Sequence, residues 1–221
     1  MEENVIRKQA GAIYAAQTVA SEYQAHSYRK QERWDSFWHQ IDFVRRESPK
    51  SVLEIGPGPG IVTRALCDAG IAVTTLDVAE DVHPDVVGSI TSLPLPDRSF
   101  DVVLAAEVLE HISAEDVSSA FKELSRVARD RVVISVPTPG MSVLLIGKFP
   151  CTPRFQVFIK IPFFWREHAF DGQHYWELST RGRSMRWFTA CAKVAGLKLV
   201  RTVIYPDAPY HRFFVFKKEI R

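Results

Sequence analysis

Apolar positions along this chain change their spacing several times, and each change marks an element. Between Tyr28 and Arg46 they return every three to four residues, at Trp34, Phe37, Trp38, Ile41 and Val44, with charges between them. That is the period of an amphipathic helix, and Pro49 closes it. Trp34 and Trp38 are expected to pack against a sheet, with a cap over a bound cofactor or substrate as the alternative. Upstream, residues 1–27 are alanine-rich and read as helical. Downstream, short and nearly continuous apolar runs follow at Val52–Ile55, Ala72–Leu76, Val86–Val87, Asp101–Ala106 and Arg131–Val136. Of these, Val52–Ile55, Asp101–Ala106 and Arg131–Val136 are of the kind that forms buried parallel strands. Between them lie a helix over Ile61–Ala69, ended by Gly70, and a second with Val117, Ala120, Phe121, Leu124, Val127 and Ala128 on one face. Ser113 is expected to cap that second helix with Asp116 as its capping-box partner. A last helix is expected from about Thr180 to Ala195, before a hairpin of Lys198–Ile204 and His211–Phe216 around Pro206 and Pro209. Strands alternating with helices predict an α/β fold with a parallel sheet covered on both faces.

Composition refines this picture only in part. The 221 residues suit one domain with embellishments, 46% apolar and 24% charged, as in an ordinary globular protein. No window reaches the ~18–20 uncharged apolar residues of a membrane span, and MEENVIRKQA has no signal-peptide core. Cys67, Cys151 and Cys191 show neither a disulfide framework nor metal-ligand spacing, so a reducing cytoplasm is expected. The net charge of +2 conceals an asymmetry: residues 141–221 hold 14 Lys/Arg against 5 Asp/Glu. A basic C-terminal third suits an anionic substrate, nucleic acid or a lipid surface.

The chemistry begins at Ser51–Gly60, SVLEIGPGPG. A strand enters a glycine turn that opens a helix, with glycines at 56, 58 and 60 and Glu54 just before them. Such a turn lets a nucleotide-like ligand lie against bare backbone at the carboxyl end of a strand. A dinucleotide site wants G-x-G-x-x-G with N–H groups aimed at a pyrophosphate. Here Ile61 replaces the third glycine, and Pro57 and Pro59 remove two donors. A donor-poor, acidic loop suits S-adenosylmethionine (SAM), which has a sulfonium cation and no phosphate.

Three further segments follow at the expected places. Asp77 ends the second strand about 20 residues on, where a carboxylate accepts ribose hydroxyls. In SITSLPLPDRSFD (89–101), Ile90 can pack on an adenine ring and Ser89 or Thr91 can bond its edge, with Leu93, Pro94 and Leu95 as scaffold. EVLEH (107–111) follows the fourth strand, where ligands bind in such sheets. Its Glu107, Glu110 and His111 can share a helical face, orient a helix start, hold a divalent cation or supply a general base.

Together EIGPGPG, Asp77, LPLPDRSFD and EVLEH resemble the class I SAM-dependent methyltransferases, strongly over residues 50–137 and in outline to the C-terminus. The resemblance implies a Rossmann-like seven-stranded, mostly parallel sheet, helices on both faces and an antiparallel last strand. It implies SAM as cofactor, bound by Glu54, Gly56, Gly58, Gly60, Asp77, Val78, Ser89, Ile90 and Glu107. Ser89 departs from the aspartate that many relatives carry after the glycine at position 88, and the short segment from Asp77 to Val86 leaves little room for the usual helix. EVLEH also resembles the metal-binding run of small-RNA 3′-end and quinone-type O-methyltransferases, with His174 of QHYWEL (173–178) as a possible distal ligand. The run occurs in metal-free methyltransferases as well, and no metal site is assigned.

The chain thus divides, within a single domain over 1–221, into N-terminal helices (1–49), a SAM-binding core (50–137), an aromatic and basic insertion (141–170) and a C-terminal helix and hairpin (171–221). The insertion interleaves Phe149, Phe155, Phe158, Ile161, Phe163, Phe164 and Trp165 with Lys148, Arg154, Lys160 and Arg166. It is read as a lid walling the active site; a membrane-surface segment, an RNA-stacking platform and a plain hydrophobic brace are its alternatives. The expected activity is methyl transfer to an oxygen or nitrogen of a small molecule, anionic or hydrophobic, with His111 and His174 as candidate bases. An RNA methyltransferase, a non-catalytic SAM-binding module and, more distantly, a NAD-binding protein are the rivals.

Overall fold

The computed structural model describes residues 30–148, 153 and 155–219. The helix expected within residues 1–27, and Phe149, Cys151 and Arg154 of the insertion, lie outside the described residues. Nine strands and four α-helices follow one another in the described chain: α1 (Gln31–Arg46), β1 (Ser51–Ile55), α2 (Ile61–Asp68), β2 (Ala72–Asp77), β3 (Val86–Val87), β4 (Phe100–Ala106), α3 (Val117–Val127), β5 (Ala128–Pro137), β6 (Gly140–Gly147), β7 (Phe155–Pro162), α4 (Met185–Val194), β8 (Leu197–Ile204) and β9 (His211–Lys218). Seven strands form one sheet in the order β3-β2-β1-β4-β5-β9-β8, and β6 and β7 pair apart from it. The first five strands of the sheet run parallel; β9 runs antiparallel to both neighbours. The expected mostly parallel sheet with an antiparallel last strand is therefore present.

Alternation along the central strands builds two cores. Leu53, Ile55, Val103, Ala105, Val132 and Ile134 pack with α3 and α4 on one face. Val52, Val102, Leu104 and Val133 pack with α1, α2 and Phe213 on the other. Successive side chains of a strand point to opposite faces, so a continuous apolar run supplies both layers. The predicted face of α3 is buried throughout.

Three expectations are corrected. Trp34 and Trp38 are 52% and 59% exposed; the buried stripe of α1 is Ser36, Phe37, Gln40, Phe43 and Val44, with His39 beside it. His39 is drawn in because its ring stacks on Tyr205 at 3.6 Å and Nε2 donates to Asp207 Oδ1 at 2.9 Å. The helix expected from Ser113 starts at Val117, and Ser113 instead donates to the Asp116 side chain at 3.1 Å. The helix expected from Thr180 starts at Met185, because Ser179 (φ 66°) and Gly182 (φ 77°) form a left-handed turn. Ser184 is the true cap, accepting from Trp187 N at 3.2 Å. Among the described residues no helix is long and apolar enough to cross a membrane.

Candidate functional site

The carboxyl ends of β1, β2 and β4 open into one cavity of about 410 Å³. Its floor is the turn after β1, where Gly56, Gly58 and Gly60 all take positive φ (69°, 52° and 68°), a conformation that costs other residues. A Cβ on Gly56 would stand 2.7 Å from Val108 Cγ2, so the bare backbone keeps this floor open. Glu54, Gly56, Gly58, Asp77, Val78, Ser89, Ile90, Glu107, His111 and His174 all line the cavity. Gly60 is not among the lining residues; its left-handed backbone starts α2.

The acids of the cavity sit in different electrostatic surroundings. Glu54 is buried, accepts the Thr63 hydroxyl at 2.5 Å, and burial pushes its carboxyl up to about 7. Asp77 Oδ1 accepts from Ala79 N at 2.9 Å, yet burial still holds its carboxyl above the ordinary aspartate value. Both therefore favour cationic or hydroxyl-bearing partners that relieve their desolvation. Ile90 is buried against the core, and Ser89 Oγ lies 2.9 Å from Thr91 Oγ1. This loop is held from behind by Arg126, which donates to the carbonyls of Leu93 and Leu95 and to Asp97 and Glu123. Leu93, Pro94 and Leu95 line none of the cavity and are scaffold, as read.

The far side is built by EVLEH and two distant segments. Glu107 is a non-glycine with φ 55°, a strained backbone that places its side chain between Ser135 Oγ (2.7 Å) and His211 Nε2 (3.6 Å). Leu109–His111 form a single 3₁₀ turn, which points Glu110 inward, fully buried, with no hydrogen bond to either carboxylate oxygen. Burial, then the nearby Glu107 carboxylate, raise Glu110 well above the ordinary glutamate value. Burial lowers His111, and its Nδ1 donates to the Gln173 carbonyl at 3.0 Å. A neutral ring protonated at Nδ1 leaves Nε2 as an acceptor.

His174 meets His111 edge to face, ring centroids 5.1 Å apart. It is fixed from the backbone, since Asp171 Oδ1 accepts from His174 N at 2.7 Å. Glu177 stands 3.7 Å from His174 Nδ1 and 3.3 Å from His168 Nδ1, and also accepts the Tyr210 hydroxyl. Burial acts to raise the Glu177 carboxyl, but the nearby His174 ring and the Tyr210 hydroxyl hold it below the ordinary value. Glu110, His111 and His174 each bring one ligand atom within 4.8 Å of the others. An orphaned buried carboxylate beside two imidazoles suits a divalent cation. Glu107, weighed in the sequence as one possible ligand of a divalent cation, is engaged by Ser135 and His211.

Phe37, Gln40, Tyr210 and His211 also line the cavity and were not anticipated. Among its described residues, the insertion read as a lid contributes none to the lining, and the cavity is walled by α1 and by residues around Gln173 and Tyr210.

Residues 53–136 match the model of a methyltransferase domain family. A malonyl-[acyl-carrier protein] O-methyltransferase of Pseudescherichia vulneris is 28% identical over 145 residues, 61% of this chain and 55% of its own length. A probable S-adenosylmethionine-dependent methyltransferase of Mycolicibacterium smegmatis is 33% identical over 132 residues, 52% of this chain and 50% of its own. The chain thus spans about half the length of these curated relatives. Among solved structures, the 1,6-didemethyltoxoflavin-N1-methyltransferase of Burkholderia thailandensis superposes with a TM-score of 0.62 at 17% identity, over 90% of this chain and 85% of that one. The magnesium protoporphyrin IX methyltransferase of Synechocystis gives 0.57 at 16%, over 89% and 86%. With its glycine turn, acid-ended strands and antiparallel last strand, the chain has the fold of the class I SAM-dependent methyltransferases, and its residues 53–136 carry the match to the methyltransferase domain.

Proposed function

We propose that this chain transfers a methyl group from SAM to an oxygen or nitrogen of a small-molecule acceptor. The observation that carries the reading is one cavity joining the glycine floor, Glu54 and Asp77 to the His111–His174 pair. Glu54, Gly56, Gly58, Asp77, Val78, Ser89 and Ile90 would hold the cofactor, with Gly60 setting the turn beneath it. The Gly56 cradle that a Cβ would fill, and two desolvated carboxylates for a cation and a diol, fit SAM; when bound, it supplies an electrophilic methyl on a sulfonium.

The chain's own part is alignment and proton handling. In-line transfer gains mostly from holding donor and acceptor together. His111, which burial biases toward the neutral ring and whose Nδ1 faces the Gln173 carbonyl, would take a proton from a hydroxyl or ammonium acceptor at Nε2. His174, buttressed by Glu177, can share that task. A divalent cation, where one is needed, would be held by Glu110, His111 and His174 and would lower the pKa of a bound hydroxyl.

The RNA reading rested on the basic C-terminal third. Among the described residues, the Lys and Arg side chains lining the cavity are Lys30 and Arg33, with none from the C-terminal third, which favours a small acceptor. Names of similar proteins include both O- and N-methylation, so the acceptor atom stays open. We place the reaction in a reducing cytoplasm, consistent with free thiols at Cys67 and Cys191. Calorimetric titration with S-adenosylhomocysteine tests the cofactor, and its release during incubation of SAM with acceptor panels tests turnover. Binding without release from any acceptor would leave a non-catalytic SAM-binding module in place of an enzyme.

A further inference from the structure

The hairpin of β6 and β7 carries a surface that the methyl-transfer reading does not use. Its register pairs Met141 with Ile161, Val143 with Ile159 and Leu145 with Val157. Residues two apart share a strand face, so these six form one apolar face, extended by Phe155, whose ring lies over Gly147. Each of the seven side chains is 43–56% exposed. The opposite face is mixed, with Ser142 opposite Lys160 and Ile146 opposite Gln156. A continuous apolar face of this length open to water is an interaction surface or an aggregation hazard.

Charge decides what covers it. Residues 140–166 contain four Lys/Arg and no Asp/Glu. Lys148 and Arg166 are exposed at either end of the hairpin region, while Lys160 turns back to donate to the Gly140 carbonyl at 3.3 Å. A second copy docked on this face would bring like charges together, which a two-fold interface repeats on both sides. Phe164 and Trp165, 67% and 55% exposed and in edge-to-face contact at 4.8 Å, follow β7 directly. Exposed aromatics and cations bordering an apolar face are the pattern of an element lying in a lipid–water interface.

We propose that the β6–β7 hairpin docks on an anionic membrane surface, with its apolar face toward the acyl chains and Lys148 and Arg166 among the headgroups. Its open strand edges must stay hydrated, so it lies in the interface and does not span it. The hairpin is rooted beside the cavity: Thr138 N donates to the carbonyl of Tyr210, a lining residue, at 2.7 Å. Docking would hold the cavity close to the bilayer. The proposal does not depend on methyl transfer.

The test is co-sedimentation of the full chain with phosphatidylcholine vesicles, with and without phosphatidylglycerol. Three variants are compared, Val143→Ser/Leu145→Ser, Val157→Ser/Ile159→Ser and Lys148→Glu/Arg166→Glu, each checked for an unchanged melting temperature and S-adenosylhomocysteine affinity. The expected result is binding favoured about tenfold or more by phosphatidylglycerol, weakened by salt, and lost in all three variants. Equal partition of wild type and variants, or no binding to either vesicle, overturns it. Concentration-dependent dimerisation abolished by the two serine variants, without vesicle binding, would assign the face to a second copy instead.

Discussion

The Glu54 carboxylate is closed off from solvent and satisfied by the Thr63 hydroxyl at 2.5 Å. One hydroxyl does not offset the loss of hydration, so the carboxyl rises to about 7. An unfolded glutamate ionises near its ordinary value of 4.5. Between these values the folded state binds the extra proton, so Glu54's contribution to stability falls as pH rises through the window and levels off above it. The full span is on the order of 3 kcal/mol. Glu54→Gln removes the titration, so its stability relative to wild type should climb between about pH 5 and about pH 8. Urea unfolding at both ends of that range checks this; a constant difference would contradict it.

Asp77 should decide cofactor affinity. It ends β2, faces the cavity, and spends one oxygen on Ala79 N. Hydrogen bonds to a carboxylate contribute about 1.5–3 kcal/mol, so Asp77→Ala should weaken S-adenosylhomocysteine binding ~10- to 100-fold by calorimetry. Asp77→Asn keeps the acceptor for Ala79 N and should lose less affinity with little change in melting temperature. Binding by Asp77→Ala equal to wild type would refute the ribose role.

Arg126 links packing to the cavity wall. Its guanidinium holds the Leu93 and Leu95 carbonyls at 2.9 and 2.8 Å and both Glu123 oxygens at 2.8 and 2.7 Å. Glu123 in turn accepts Leu93 N at 2.8 Å, and Arg126 keeps its carboxyl below the ordinary value. Arg126→Met would strand two carbonyls and a carboxylate, at a cost of about 2–3 kcal/mol. Hydrogen exchange should quicken around residues 89–97, and S-adenosylhomocysteine affinity should drop several-fold because Ser89 and Ile90 lie on that loop. Unchanged exchange there would separate Arg126 from the cavity.

The parallel half of the fold was legible because strands buried on both faces need no alternation to announce themselves. Val52–Ile55 and Asp101–Ala106 read as strands from apolarity alone. The α1 stripe was misread because hydrophobicity favours Trp34 and Trp38, whereas Ser36, His39 and Gln40 are buried by partners and a cavity that no local pattern reveals. The glycine turn and EVLEH carried most of the site, since they follow β1 and β4, which are neighbours in the sheet. Tyr210 and His211 were missed because only the antiparallel return of β9 beside β5 brings them to Glu107. Gly182 and Ser184 could have placed the start of α4, being a turn glycine followed by an N-cap serine.

Glu110 offers the sharpest test of what the far side of the cavity holds. Its two buried oxygens lack hydrogen bonds, and one of them, with one ring nitrogen each of His111 and His174, falls within a 4.8 Å group. A carboxylate left so exposed to desolvation destabilises the fold unless it is protonated or coordinated. Without metal, Glu110→Gln mimics the protonated acid and should unfold no more readily than wild type, with a rising advantage at alkaline pH. With Mn²⁺ added, the wild type should melt higher because a ligand bound only by the folded state stabilises it. Glu110→Gln and His174→Ala should lose that shift, while Glu107→Gln, whose carboxylate faces Ser135 and His211, should keep most of it. Calorimetric titration with Mn²⁺ gives the same comparison directly. A wild type that takes up no Mn²⁺ would leave Glu110 as a protonated acid, with His111 as the remaining base.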